Sequence, residues 1–290
     1  MRTRTTVIAV SVALAAALCA PALASAEDSG PGDMDRRGHT SLTAIGLTVD
    51  QRLVEFSVDK PAKTMSLGKV SGLRGDTRLV GIDFRPQDEK LYGVGDKGGI
   101  YTLDPGNAAA MKVSQLTVAF SGAQFGVDFN PAANRLRVIS HTGQNLRHNI
   151  DDAAAPLGTT VDGMLTNPTT PLSTAVGVTG AAYTNNDLNA ATATTLFDID
   201  TRADRISLQS PANAGTLAPT GNLGVDAGPE AGFDIYFDAK HGTNHGFAAL
   251  TSAGSAHLYE INVLTGAARD LGAFPNKQQV TDLALPLNQK

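Results

Sequence analysis

Two short sequence signatures alternate along this chain, five times each, and no other feature constrains the fold as strongly. The first signature is an apolar strand with glycine ahead of an acid, found at Gly81–Phe84, Gly126–Phe129, Gly180–Tyr183 (where Ala182 replaces the acid), Gly232–Ile235 and, more loosely, Val280–Leu283. The second signature is an aliphatic residue followed by an acid or amide, found at Val58-Asp59, Leu103-Asp104, Ile150-Asp151, Ile199-Asp200 and Ile261-Asn262. Each unit of roughly 50 residues therefore carries one of each, a period typical of β-propeller blades.

Within one unit the strands can be predicted directly. Short runs of β-branched and aromatic residues alternate with Gly, Pro, Asn and Asp, the pattern of a four-stranded meander. The strands predicted in one unit are Leu79–Arg85, Lys90–Val94, Gly99–Leu103 and Met111–Val118. The following unit repeats this with Gln124–Asn130, Arg135–Ser140, Asn145–Ile150 and a weaker strand within Thr160–Leu165. A lone four-stranded sheet leaves apolar faces uncovered, so we expect the units to stack radially.

The two ends of the chain complete each other. The segment Thr43–Val58 begins in the middle of a unit, without its acid-bearing strand, and Val280–Pro286 is such a strand with nothing after it. The sequence therefore predicts an all-β, five-bladed β-propeller of four-stranded blades, with the C-terminal strand innermost in the blade begun by Thr43–Val70. Extra strands between Ile150 and Gly180 would instead give six blades.

The first 26 residues have the pattern of a secretory signal peptide. Arg2 and Arg4 precede an apolar run, Val7–Leu18, and Ala24-Ser25-Ala26 supplies the small residues that signal peptidase needs. The run is too short to span a bilayer. A lipidated Cys19 is the alternative, but Leu18 stands where lipoprotein signals carry a small residue. We therefore expect a secreted protein, extracellular or periplasmic, rather than a lipoprotein.

The composition after residue 26 narrows the choice of partners. This part has no cysteine and a net charge of −7, which excludes disulfides and disfavours nucleic acid and anionic membranes while leaving cations acceptable. Residues 27–41 are polar and rich in Gly and Asp, so we predict a flexible leader. Residues 42–290 are then expected to form a single domain, monomeric and without a membrane span.

Three longer phrases resemble a known family. LVGIDFRPQDEKLYGVG (79–95), GVDFNPAANRLRV (126–138) and GAAYTNN (180–186) are similar to the secreted bacterial domain of unknown function 4394 family, over about Thr43 to Pro286. The resemblance implies an exported, propeller-like repeat protein. It implies no activity, substrate or catalytic residue.

The acid of the first signature is the main candidate for a functional site. Asp83, Asp128, Asp234 and Asp282 occupy equivalent positions on four inner strands, and inner strands line a propeller's axis. Four carboxylates facing one axis repel one another unless they are protonated, paired or bridged by a divalent cation. The competing hypothesis, which repetition favours, is structural: each acid accepts backbone hydrogen bonds and fixes the geometry of its blade.

Other motifs have simpler explanations. Gly93–Gly98 matches the GxGxxG string but precedes a strand, so a hairpin turn is favoured over a nucleotide site. Ser57 and Lys60 match SxxK in a strand that ends at Pro61, not in the helix that motif needs. Asp198, Asp200 and Asp204 are interpreted as acids that cap turns rather than as a calcium site. His241 and His245, beside Asp238, are interpreted as part of a solvated loop rather than as a metal site.

Two functions of different classes follow. The leading interpretation is a secreted, non-catalytic binding or scaffold propeller for an unknown extracellular ligand or protein, with no cofactor. The alternative is a metal-dependent or carboxylate-based hydrolase with its site in the central channel, because two separated carboxylates can act as acid and base. The complete absence of Trp disfavours a glycosidase.

Overall fold

The protein is described from a computed structural model, which covers residues 41–289. The predicted signal peptide, 1–26, and the leader up to residue 40 lie outside the described residues. Apart from one short 3-10 turn, Ala212–Ala214, the described elements are strands. The structure is all-β, as the repeats predict.

Twenty of the twenty-two strands form five antiparallel four-stranded sheets, the blades of a propeller. Blade 1 contains β22 (Val280–Ala284), β1 (Thr43–Thr48), β2 (Arg52–Ser57) and β3 (Thr64–Lys69). Blade 2 contains β4 (Leu79–Phe84), β5 (Leu91–Gly95), β6 (Gly99–Leu103) and β7 (Ala110–Gln115). Blade 3 contains β8 (Phe125–Asn130), β9 (Arg135–Ser140), β10 (Asn145–Asn149) and β11 (Gly158–Val161). Blade 4 contains β14 (Val178–Tyr183), β15 (Leu196–Asp200), β16 (Arg205–Gln209) and β17 (Leu217–Asn222). Blade 5 contains β18 (Ala231–Asp238), β19 (Thr243–Ser252), β20 (Ser255–Ile261) and β21 (Ala268–Ala273).

The ring is closed by the C-terminal strand. β22 pairs antiparallel with β1, with Ile45 opposite Ala284 and Gly46 opposite Leu283, so blade 1 draws its inner strand from the far end of the chain. This confirms five blades. The segment between blades 3 and 4 holds only a two-stranded hairpin, β12 (Thr166–Asn167) with β13 (Ser173–Thr174), and not a sixth blade.

The first signature is explained by how closely the inner strands approach one another. β22, β4, β8, β14 and β18 contact in turn around the ring. A Cβ on Gly81 would lie 2.4 Å from Val127 Cγ2 of the next blade, and a Cβ on Gly126 would lie 2.7 Å from the backbone nitrogen of Ala181. Glycine is therefore required where two inner strands touch, and the acid two residues later lies on the same strand face.

The second signature lies at the end of the third strand of a blade in four of the five units, and in two of these its acid or amide caps a turn. Asp104 accepts the backbone N–H of Gly106, and Asn262 accepts those of Leu264 and Thr265. The fourth unit departs from our prediction, because Ile199-Asp200 ends β15, the second strand of blade 4. The regular alternation is therefore coincidental in that unit: hairpins at both ends of a blade use acid caps.

The hydrophobic core is divided into five clusters, each shared by two neighbouring blades. The cluster between blades 5 and 1 has fourteen buried residues, among them Phe56, Tyr236 and Phe274. The cluster between blades 3 and 4 has only eight, including Ile139, Ala181 and Tyr183. Apolar burial therefore holds each blade to its neighbours, and it is weakest between blades 3 and 4.

Gly126→Ala should destabilise the fold by about 1–3 kcal/mol, because the new Cβ meets backbone atoms of blade 4 that cannot move without separating the blades. Urea unfolding followed by circular dichroism measures this. The matched control is Gly106→Ala, in an exposed turn where the nearest atom is an Asp104 side-chain oxygen at 3.2 Å. Equal stability losses in the two variants would contradict the close approach of β8 and β14.

Candidate functional site

Three of the four predicted acids meet on the ring axis. Asp83, Asp128 and Asp234, on β4, β8 and β18, each place a carboxylate oxygen within 4.8 Å of the other two. Their residues are 4%, 1% and 2% exposed. Asp282, on β22, is outside this group of three but close enough to raise the pKa of Asp83.

Two members of the group also join their blade to the next one. Asp83 accepts the backbone N–H of Phe84 through Oδ1 and that of Phe129, on blade 3, through Oδ2, both at 2.7 Å. Asp234 accepts the N–H of Ile235 through Oδ1 and that of Leu285, just after β22, through Oδ2, both at 2.6 Å. Each carboxylate thus binds its own strand with one oxygen and the neighbouring blade with the other.

Asp282 follows the same rule with a different partner. Its Oδ2 accepts the N–H of Ile82 on blade 2 at 2.7 Å. The two hypotheses for the acids are therefore compatible: three carboxylates gather on the axis, and acids of the same set hold neighbouring blades through backbone N–H groups. The sequence could place them at one axis but could not show that both arrangements coexist.

Asp128 is the exception. Neither of its carboxylate oxygens has a hydrogen-bond partner among the described residues, although the side chain is almost fully buried. The backbone of Tyr183 lies in the equivalent place on blade 4 and lowers the Asp128 pKa, but it does not reach hydrogen-bonding geometry. A buried carboxylate without donors is costly, so this position demands a compensating group.

Burial is the main reason that the pKa of all four acids is raised above the usual value of 3.8. For Asp128, the charges of Asp83 and Asp234 raise the pKa further. Backbone N–H groups act in the opposite direction on Asp234, whose pKa rises to about 6. Ionising all four acids together is therefore unfavourable unless a compensating charge is present.

The contact between blades 3 and 4 contains a polar cluster that the sequence analysis did not find. Arg137, opposite Asp128 in the β8–β9 pair, is buried and donates to the side chains of Asn145, Asp162, Tyr183 and Asn213. The sequence signal for this cluster was Arg137, a charged residue at an inward-facing strand position within the run RLRVIS.

Asp198 belongs to the same contact, and our interpretation of it as a turn cap is wrong. It is fully buried in the middle of β15, next to Ser207 of β16, and among the described residues its two oxygens and the Ser207 hydroxyl have no hydrogen-bond partner. Burial raises the Asp198 pKa well above 3.8, and Arg137 opposes this. Asp200 and Asp204 do cap backbone N–H groups, those of Arg202, Ala203 and Ala227.

The remaining motifs lie where simple turns and loops were expected. Residues 96–98 of the GxGxxG string connect β5 to β6, and Ser57 ends β2. The Nδ1 atom of His241 contacts Asp238 Oδ2, and His245 Nε2 lies 3.0 Å from Thr243 Oγ1. These groups are not brought together into one site by the described structure.

Two shallow depressions adjoin at the end of the ring where the inner strands begin. The central one, of about 90 Å³, is lined by residues from blades 1, 2, 3 and 5, including Gln51, Arg78, Gln124 and Glu230. The second, of about 270 Å³, shares Gln124 and lies over blades 3 and 4. Its lining includes His141, Thr179, Thr201 and Arg202.

The described residues contain no helix that is both long and apolar enough to cross a membrane.

Comparison with known proteins gives one family match. A family model described as Domain of unknown function (DUF4394) matches residues 52–284. No curated protein matches the chain.

The chain is also similar to several solved structures. A protein from Lactobacillus plantarum is 18% identical, with a TM-score of 0.42 over 80% of this chain and 67% of that one. An auxiliary nutrient binding protein from Bacteroides ovatus is 12% identical, with a TM-score of 0.43 over 70% and 55%. A protein of unknown function from Bacteroides thetaiotaomicron is 11% identical, with a TM-score of 0.47 over 86% and 68%. This chain thus spans little more than half of the nutrient binding protein.

The raised pKa values predict an unusual pH dependence in chelator-containing buffer. An acid whose pKa is higher in the folded state stabilises the fold fully below pH 3.8 and loses this contribution as the pH rises through the folded value, about 6 for Asp234. The unfolding free energy should therefore fall between about pH 4 and 7, by on the order of 3 kcal/mol for Asp234 alone. Urea titrations across this range measure the change.

Asp234→Asn should flatten the slope of unfolding free energy against pH, whereas Asp104→Asn, in an exposed turn, should not. A stability that rises over this range would refute the assignment.

Proposed function

The chain belongs to the DUF4394 family, and we propose that it is a secreted, non-catalytic propeller that binds a small polar ligand at the end of the ring where the inner strands begin. The observation that carries this proposal is the pair of adjoining depressions, lined by loops from all five blades. A ring of loops held by a rigid scaffold is the usual place for a binding site.

The lining of the larger depression favours an anionic ligand. No acidic residue is among the described residues that line this depression. The Arg202 guanidinium has no ion-pair partner in the described part of the chain. His141 accepts the backbone N–H groups of Ala123 and Gln124 through Nδ1, which leaves Nε2 to carry the proton as a donor. Together with Thr179 and Thr201, these groups suit a carboxylate-bearing sugar or organic acid.

The hydrolase alternative requires carboxylates that a substrate can reach. Asp83, Asp128 and Asp234 are almost completely buried, and two of them use both oxygens for backbone N–H groups. Neither depression has these residues in its lining. Burial of the carboxylates therefore favours binding over hydrolysis.

Export forms part of the proposal and rests on the sequence. The basic start, the apolar run and the small residues before position 27 fit a secretory signal. The chain after residue 26 contains no cysteine. Packing between blades supplies the stability that disulfides give to many small exported domains.

Arg202→Ala should weaken the binding of an anionic probe by about 10- to 100-fold, because a charge-assisted hydrogen bond is lost. Residues 27–290 would be titrated calorimetrically with glucuronate and with citrate, and with glucose as the neutral probe. The expected result is binding of at least one anion and a large loss of affinity in the variant.

The matched control is Arg269→Ala, which removes an arginine that pairs with Glu260 on the outer strands of blade 5. It should bind the anion like the unchanged protein. Equal binding by Arg202→Ala, or no heat with either anion, would reject the proposed site. Hydrolysis of glycoside or lactone substrates that disappears in Asp83→Asn would instead establish the enzyme alternative.

A further inference from the structure

We propose that a divalent cation, best matched by Ca²⁺, binds on the ring axis between Asp83, Asp128 and Asp234 and joins blades 2, 3 and 5. The position is distinct from the depressions, so this inference does not depend on the proposed ligand. It begins from the three carboxylate oxygens that lie within 4.8 Å of one another.

The second observation is the unpartnered carboxylate of Asp128. In Asp83 and Asp234, each carboxylate oxygen accepts one backbone N–H with one lone pair. A second lone pair on each oxygen is available to a metal. Asp128 has both oxygens free of donors in the described structure, yet it is 1% exposed and contributes an oxygen to the group. A buried carboxylate left without donors beside two other acids is the arrangement expected of a metal ligand.

No side chain of the described residues neutralises this group. The basic residue opposite Asp128 in the β8–β9 pair is Arg137, and its guanidinium pairs with Asp162 and donates to Asn145, Asn213 and Tyr183 instead. Among the ion pairs between described residues, none includes Asp83, Asp128 or Asp234. Protons or a bound cation are the two ways to balance the charge.

The donor set favours Ca²⁺ over other cations. All three ligands are carboxylate oxygens, which suit hard cations and not zinc or copper. Ca²⁺ binds six to eight oxygens in flexible geometry, so it tolerates carboxylates that are already fixed by backbone hydrogen bonds, whereas Mg²⁺ requires a near-ideal octahedron.

A cation at this position would connect parts of the ring that share no blade interface. Blades 2 and 3 are neighbours, but blade 5 lies across the axis from blade 3, and β18 approaches β8 there. Metal binding would therefore stabilise the closed ring by linking three inner strands at one point.

The test uses residues 27–290 refolded from denaturant in chelated buffer, with and without added CaCl₂, followed by gel filtration and elemental analysis. We expect one Ca²⁺ per chain after refolding with CaCl₂. The melting temperature of this form should exceed that of the chelated form by roughly 5–10 °C when free Ca²⁺ is a hundredfold above Kd.

The variant Asp128→Asn distinguishes a metal ligand from a purely structural acid. With CaCl₂ the variant should melt below the unchanged protein and retain no stoichiometric Ca²⁺. In chelator it should melt at the same temperature or higher, because an uncompensated buried charge has been removed. A purely structural acid would lower the melting temperature equally in both buffers.

Asp282→Asn is the matched control, an inner-strand acid outside the group of three. It should retain Ca²⁺ and keep the difference between the two buffers. Three results would overturn the proposal: no bound Ca²⁺ in the unchanged protein, retention of Ca²⁺ by Asp128→Asn, or Mg²⁺ bound in preference to Ca²⁺. The first is decisive even if a variant fails to fold.

Discussion

The fold depends on a carboxylate of one inner strand accepting a backbone N–H from the next blade. Asp83, Asp234 and Asp282 each form such a bond across a blade boundary. The bond requires inner strands that almost touch, which explains the glycine two residues before most of these acids. It also forces charged groups towards one axis. The interaction that orders the blades therefore creates the electrostatic strain that the centre of the ring must relieve.

Much of this architecture could be predicted from the sequence, because repeats reveal roles that recur in every blade. Five blades and closure by Val280–Ala284 follow from the alternation and from the incomplete unit at Thr43. Strand ends differed by a few residues where turn residues were ambiguous, as in Met111–Val118 against the observed Ala110–Gln115. Which acids share a centre could not be predicted, because it depends on separations of a few ångströms between strands far apart in the sequence.

The misassigned residues have a common physical origin in blade 4. That blade has Ala182 in place of the inner acid, buries Asp198 in mid-strand and has its acid-capped hairpin one strand earlier. Its contact with blade 3 has the smallest apolar cluster and adds the buried polar cluster around Arg137. A repeat pattern describes the average blade, so it fails at a blade that has diverged. The larger depression lies over blades 3 and 4, which places the departures from the repeat beside the proposed binding surface.

Closure by β22 also decides how the ring can be attached to anything else. Because β22 runs away from the depressions, residues 285–289 after it and residues 41–42 before β1 lie at the opposite end of the ring. There the Gln289 side chain bonds to both the backbone N–H and the carbonyl of Thr43. A label attached to the exposed residues Ser41 or Asn288 would therefore lie at the far end of the ring and leave the depressions unobstructed.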